Sequence, residues 1–143
     1  MLTSEQTAFF RTNGYLVVED AVTADLLARL RRDFAGWVEE SRVHDAPYGE
    51  MIDGRARFDL ESGHSADHPA LRRVSSPIEV SDAYYEAMAA SRIVEAVAEL
   101  IGPNVKLHHT KINSKLPHTA TKVEWHQDFP FTPHRTTTSS PPC

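Results

Sequence analysis

The sequence predicts an α+β fold, on three observations. Amphipathic runs at helical spacing follow capping residues, short runs of β-branched and aromatic residues lie between turn formers, and a pair of later helices is closed by Gly102 and Pro103. Thr3 with Gln6 gives a capping-box pattern, so a first helix is expected over residues 4–12, with Gly14 as its left-handed stop. Tyr15, Leu16, Val17 and Val18 read as a strand, and residues 19–21 as a turn. Thr23 caps a second helix over 24–40, in which Leu26, Leu27, Leu30, Phe34, Trp37 and Val38 form one apolar stripe. The pattern fades over 41–69, where Gly49, Gly54 and Gly63 punctuate the chain and only residues 57–60 suggest a short strand. Two helices are expected next, over 82–90 and 93–101, the second capped by Ser91. A strand over 105–113, a loop over 116–120 and a strand over 122–126 complete the ordered part, with no internal repeat.

Composition narrows the function. A chain of 143 residues amounts to one domain at most, and 41% apolar with 24% charged residues is ordinary for a soluble globular protein. A net charge of −5 with no basic stripe argues against nucleic acid as a partner. Arg29, Arg31 and Arg32 cluster on an amphipathic helix among acidic neighbours, as a solvated face does. No run approaches the roughly 18 apolar residues of a membrane span, and the first residues lack the basic start and apolar run of a secretory signal. Cys143 is the sole cysteine, so there is neither a disulfide framework nor a cysteine-based zinc motif, and a cytoplasmic location is expected.

The chemistry concentrates in Glu124-Trp125-His126-Gln127-Asp128-Phe129-Pro130. On a strand His126 and Asp128 would share one side, with Gln127 on the other. An imidazole and a carboxylate so placed can form two legs of the two-histidine, one-carboxylate triad of non-haem iron(II) oxygenases. Taken alone, the His-x-Asp pattern reads more readily as a surface or core histidine that holds no metal, since the chain has eight histidines.

Three blocks together carry more. The opening Leu2-Thr3-Ser4-Glu5-Gln6 with Phe9-Phe10-Arg11-Thr12-Asn13-Gly14-Tyr15-Leu16-Val17-Val18, then Leu107-His108-His109-Thr110-Lys111-Ile112-Asn113-Ser114-Lys115-Leu116-Pro117, then Glu124-Trp125-His126-Gln127-Asp128-Phe129-Pro130-Phe131, resemble the phytanoyl-CoA dioxygenase family in order and approximate spacing, over about residues 2–134. The resemblance implies the N-terminal part of a double-stranded β-helix, a cupin-like jelly roll with flanking N-terminal helices. It implies Fe(II) as cofactor, 2-oxoglutarate as co-substrate and hydroxylation of a small-molecule substrate. His126 and Asp128 become the expected metal ligands, and Asn113, His109 and Lys111 the expected contacts to 2-oxoglutarate. Lys111 and Lys115 read equally as solvated lysines at a strand edge. Trp125 and Phe129 are expected to pack the barrel wall.

The family pattern also needs a distal histidine and an arginine beyond it, and the sequence runs only 15 residues past Asp128. Residues 1–134 are therefore expected to be the N-terminal portion of the domain, truncated before its metal site is complete and inactive as it stands. Residues 135–143 are expected to be a disordered tail, read from a shifted frame. Two other readings stay open: a non-catalytic half-domain that binds a complementing C-terminal half or associates with itself through open sheet edges, and a small zinc module using His64, His68, His108, His109, His118, His126 and Asp128.

Overall fold

A computed structural model describes residues 1–119, 121–127 and 130. Helices α1 (Ser4–Asn13) and α2 (Ala24–Ser41) come first, then strands β1 (Tyr48–Ile52), β2 (Arg55–Leu60) and β3 (Leu71–Ser75). A 3-10 turn (Pro77–Glu79), helices α3 (Asp82–Ala89) and α4 (Arg92–Ile101), and strand β4 (Lys111–Asn113) follow. The four strands pair antiparallel in the order β1-β2-β3-β4. The chain is α+β, as the sequence predicts.

The helices start where their caps say they should. Thr3 and Gln6 exchange the reciprocal hydrogen bonds of a capping box, and Gly14 closes α1 at φ 78°. The Thr23 hydroxyl accepts from Leu26 N at the start of α2. Ser81 does two jobs at the head of α3: its hydroxyl accepts from Tyr84 N at 3.2 Å and donates to Asp33 of α2 at 2.6 Å. That second bond fixes α3 against α2.

The α2 stripe covers one face of the sheet. Trp37 joins Phe58, Leu60, Leu71 and Val74 in the buried core, with Phe34, Val38, Tyr48, Tyr84, Ile112 and Leu116 packed around it. Registers Phe58↔Val74 and Val74↔Ile112 align the apolar side chains across three strands, so the alternate residues turn away from the helices. One of these, Arg57, is only 3% exposed, yet its guanidinium donates to the Ser75 and Ser76 carbonyls and to Glu50 and Glu79. Burial alone pulls its pKa down. The hydrogen bonds with Glu79 and Glu50 outweigh burial, and the pKa stands raised.

Several sequence expectations fail here. Residues 15–18 form no strand: Tyr15 and Val17 are exposed, and the segment pairs with no strand among the described residues. β propensity makes a strand only where a neighbour takes the backbone groups. The same reason shortens the strand expected over 105–113 to Lys111–Asn113 and removes that expected over 122–126, whose side chains are exposed. In the stretch read as featureless, β1 and β2 form a hairpin. Its two-residue turn, Asp53 and Gly54, has φ of 49° and 76°, both left-handed, as hairpin twist requires. His64 lies nearby: its Nε2–H donates to the Ser41 carbonyl at 3.0 Å and its Nδ1 accepts from Ala70 N at 2.9 Å. The tail expected over 135–143 lies outside the described residues.

Two outcomes test this packing. Leu71→Ala, at a site 1% exposed, should lower unfolding free energy by about 2–5 kcal/mol in a denaturant titration; a loss below about 1 kcal/mol would contradict a close-packed site. Tyr48, stacked on Phe58 at 4.8 Å, has its phenol pKa pushed up to about 12 by burial, with the charge of Glu40 adding to it. Its unfolded value is about 10, so its contribution is whole below that pH and is lost as pH rises through the folded value. Tyr48→Phe should flatten the fall of stability between about pH 10 and pH 12, and an unchanged slope would show that another group governs it.

Candidate functional site

The sheet face turned away from the helices is polar, and the strand order decides which polar groups meet. The register pairs Asp59 with Arg73 and then skips to Leu60 with Leu71, so Arg72 is an extra residue bulged out of the ladder. The bulge lets both arginines reach one carboxylate. Arg73 Nη2 lies 2.6 Å and Arg72 Nε 3.1 Å from Asp59 Oδ2. On its other side Arg73 pairs with Asn113 of β4.

Beyond β4 the chain turns at Pro117 and His118 and passes back along this face. Glu61, Arg72, Arg73 and Asn113 together with Thr121 and Lys122 from the returning segment line an open cleft of about 340 Å3. The Lys122 ammonium lies 2.6 Å from Glu124. Two polar atoms of these side chains, Arg73 Nε and Thr121 Oγ1, are closed off from solvent and have no hydrogen-bond partner among the described residues.

Of the expected co-substrate contacts, Asn113 lines this cleft. Lys111 is exposed two residues earlier on β4, opposite Ser75, and is not among the lining residues. His109 lies before the strand, exposed, with its Nδ1 2.8 Å from His108 Nδ1. Sequence reasoning missed Arg72, Arg73 and Thr121. The paired arginines between Leu71 and Val74 were visible, but the bulge breaks the alternation that would have marked a strand.

His126 stands four residues past Lys122, exposed, with Nδ1 2.7 Å from the Glu124 carbonyl oxygen. A carbonyl oxygen can only accept, so the ring proton sits on Nδ1 and the neutral ring carries its lone pair on Nε2. Asp128, the other expected ligand, lies outside the described residues, as does Phe129. Trp125 does not pack a wall: it is fully exposed. Among the described residues no group of three or more His, Cys, Asp or Glu side chains is placed to hold a metal ion. His64 is further unsuited to zinc, because both ring nitrogens are committed to the backbone.

These features fall within a defined family. The phytanoyl-CoA dioxygenase family model matches residues 10–141, and the chain belongs to that family. Curated relatives include a Stutzerimonas stutzeri protein described as "Probable alpha-ketoglutarate-dependent hypophosphite dioxygenase", 30% identical over 131 residues, covering 92% of this chain and 43% of the relative. The rat peroxisomal phytanoyl-CoA dioxygenase is 25% identical over 138 residues, covering 94% of this chain and 39% of the relative. The ectoine dioxygenase of Sphingopyxis alaskensis is 25% identical over 134 residues, covering 90% and 38% respectively. The chain thus spans about two fifths of the length of these relatives. No solved structure matches it.

The tautomer can be read directly. Nitrogen-15 NMR of the His126 ring should place the proton on Nδ1 when the ring is neutral; a proton on Nε2 would contradict the bond to Glu124.

Proposed function

We propose that this chain carries the His126 and Asp128 ligands of an Fe(II)- and 2-oxoglutarate-dependent dioxygenase acting on a small organic or acyl substrate, within a cupin-like jelly roll. The observation that carries the reading is the His126 ring. Its Nδ1 is hydrogen-bonded to a backbone carbonyl, the tautomer in which the ring lone pair is on Nε2, and a neutral imidazole nitrogen is the kind of donor iron(II) takes. The donor chemistry therefore fits the metal. Iron(II), when bound, supplies the activation of O2 against a C–H bond, with 2-oxoglutarate as the source of electrons. The chain's own part is to present the imidazole in one tautomer and to offer Asn113 as a hydrogen-bond partner on the polar sheet face, with His109 and Lys111 as further contacts once the site closes. The relatives' names, which include an alpha-ketoglutarate-dependent dioxygenase, support the co-substrate.

A facial triad needs a second histidine, and none stands with His126 among the described residues. The third ligand is supplied from outside the described residues. Among the described residues no helix is long and apolar enough to cross a membrane. A cytoplasmic, reducing setting suits both iron(II) and a chain with one cysteine.

A second reading is favoured by the exposed apolar surface. Val17 at 71% and Trp125 at 102% exposure suit a non-catalytic half-domain that pairs with a complementing half or a second copy.

Anaerobic iron(II) titration with and without 2-oxoglutarate separates the two. The first reading expects a weak visible charge-transfer band that requires 2-oxoglutarate and disappears in His126→Ala. A band of wild-type strength in that variant would remove His126 from the iron, and no band in the wild type would leave the half-domain reading.

A further inference from the structure

Residues 61–70, between β2 and β3, form a loop that closes on itself. Glu61 N–H donates to the Ala70 carbonyl at 3.0 Å where the two ends meet, and Ser65 and His68 exchange two further bonds inside it. Two side chains tie this loop to the end of α2. The Arg42 guanidinium donates to the Ala66 carbonyl, and the His64 ring spans the Ser41 carbonyl and the Ala70 N–H. Ser41 and Ala70 are 0% and 4% exposed, so water has little access to take the place of the ring. A backbone N–H can only donate, so Nδ1 accepts from Ala70 and the ring proton sits on Nε2. Only the neutral ring, in this one tautomer, makes both bonds. A proton added at Nδ1 would set N–H against N–H and leave the buried Ala70 donor without its acceptor.

We propose that His64 is a pH-sensitive latch: the neutral ring ties loop 61–70 to the end of α2, and protonation of the ring releases it. Histidine is the side chain suited to this, because it changes charge between about pH 5 and about pH 8. The charges around the ring are mixed. Arg42 brings a positive charge to the loop, answered in part by Glu39 at 2.9 Å, and Glu61 and Asp67 are the loop's own carboxylates. Release has a consequence beyond the loop. Ser62, Gly63, His68 and Pro69 wall one side of a cleft of about 440 Å3, with Leu116 and Pro117 among its other lining residues. The turn at Pro117 and His118 leads from β4 to the His126 segment, so the latch links one protonation to the packing of that turn. His44, next to the end of α2, and His68 and His118 in the cleft walls are histidines too, so a pH profile alone does not identify the ring.

Amide hydrogen exchange of the full chain, followed by NMR at about pH 7.5 and about pH 5.5, tests the latch. In the wild type the protection factor of the Ala70 amide should fall roughly tenfold or more on acidification, while that of Val74 in the core ladder holds. In His64→Gln the Ala70 protection factor should be the same at both pH values, whatever its level. An unchanged wild-type value, a fall of equal size in His64→Gln, or a matching loss at Val74 overturns the proposal. Should the variant fail to fold, nitrogen-15 shifts of the wild-type ring decide the matter. The latch requires the neutral His64 ring to carry its proton on Nε2, and a neutral ring protonated on Nδ1 rules it out. No iron is added and no latch residue lies on the His126 segment, so this result and the iron titration stand or fall separately.

Discussion

The register of β3 is the constraint on which the rest depends. Val74 is fully buried and sits between Phe58 and Ile112, so the apolar side chains of three strands meet beneath Trp37. A one-residue slip would turn Val74 outward and Arg73 into the core. The same register that seals the core therefore presents Arg73 between Asp59 and Asn113 on the opposite face. Core and cleft are two sides of one alignment, and the α2 stripe selects it.

Buried charge is handled differently at two places on that sheet. Arg57 is enclosed and fully answered by two carboxylates and two carbonyls, the arrangement in which a buried cation is tolerated. Removing one partner would leave charge without compensation, so this group specifies how β2 meets the turn after β3. Arg73 is answered only in part. The contrast within one sheet marks Arg57 as a strut and leaves Arg73 with one buried donor unpaired among the described residues.

Helices were legible in the sequence because their signals are local. Thr3, Thr23 and Ser91 each sit one residue before a helix, and each side chain accepts a backbone hydrogen bond within a turn of itself. Strands were less legible, because a strand depends on what lies beside it. Tyr15 to Val18 carries stronger β propensity than Leu71 to Ser75, yet only the latter finds neighbours on both sides. The hairpin turn at Asp53 and Gly54 was a readable signal that the glycine-rich surroundings obscured. In the candidate site, His126 stood out by type and spacing, whereas Asn113 came only from the family resemblance. Arg72 and Arg73 did not stand out, because a bulge rather than a period puts them together.

The meander β1–β2–β3 joins neighbours in sequence, whereas β4 returns to β3 only after two helices have formed between them. The bond from the Ser114 hydroxyl to the Leu71 carbonyl, for instance, closes a separation of 43 residues. Closing so long a loop is the entropically demanding step, and contacts of that separation form late. β4 is also only three residues long, so its detachment exposes little surface. The strand that leads toward His126 is thus the one whose pairing closes the longest loop for the least surface covered. The candidate metal segment is reached only through that short strand, so its placement depends on the docking of β4.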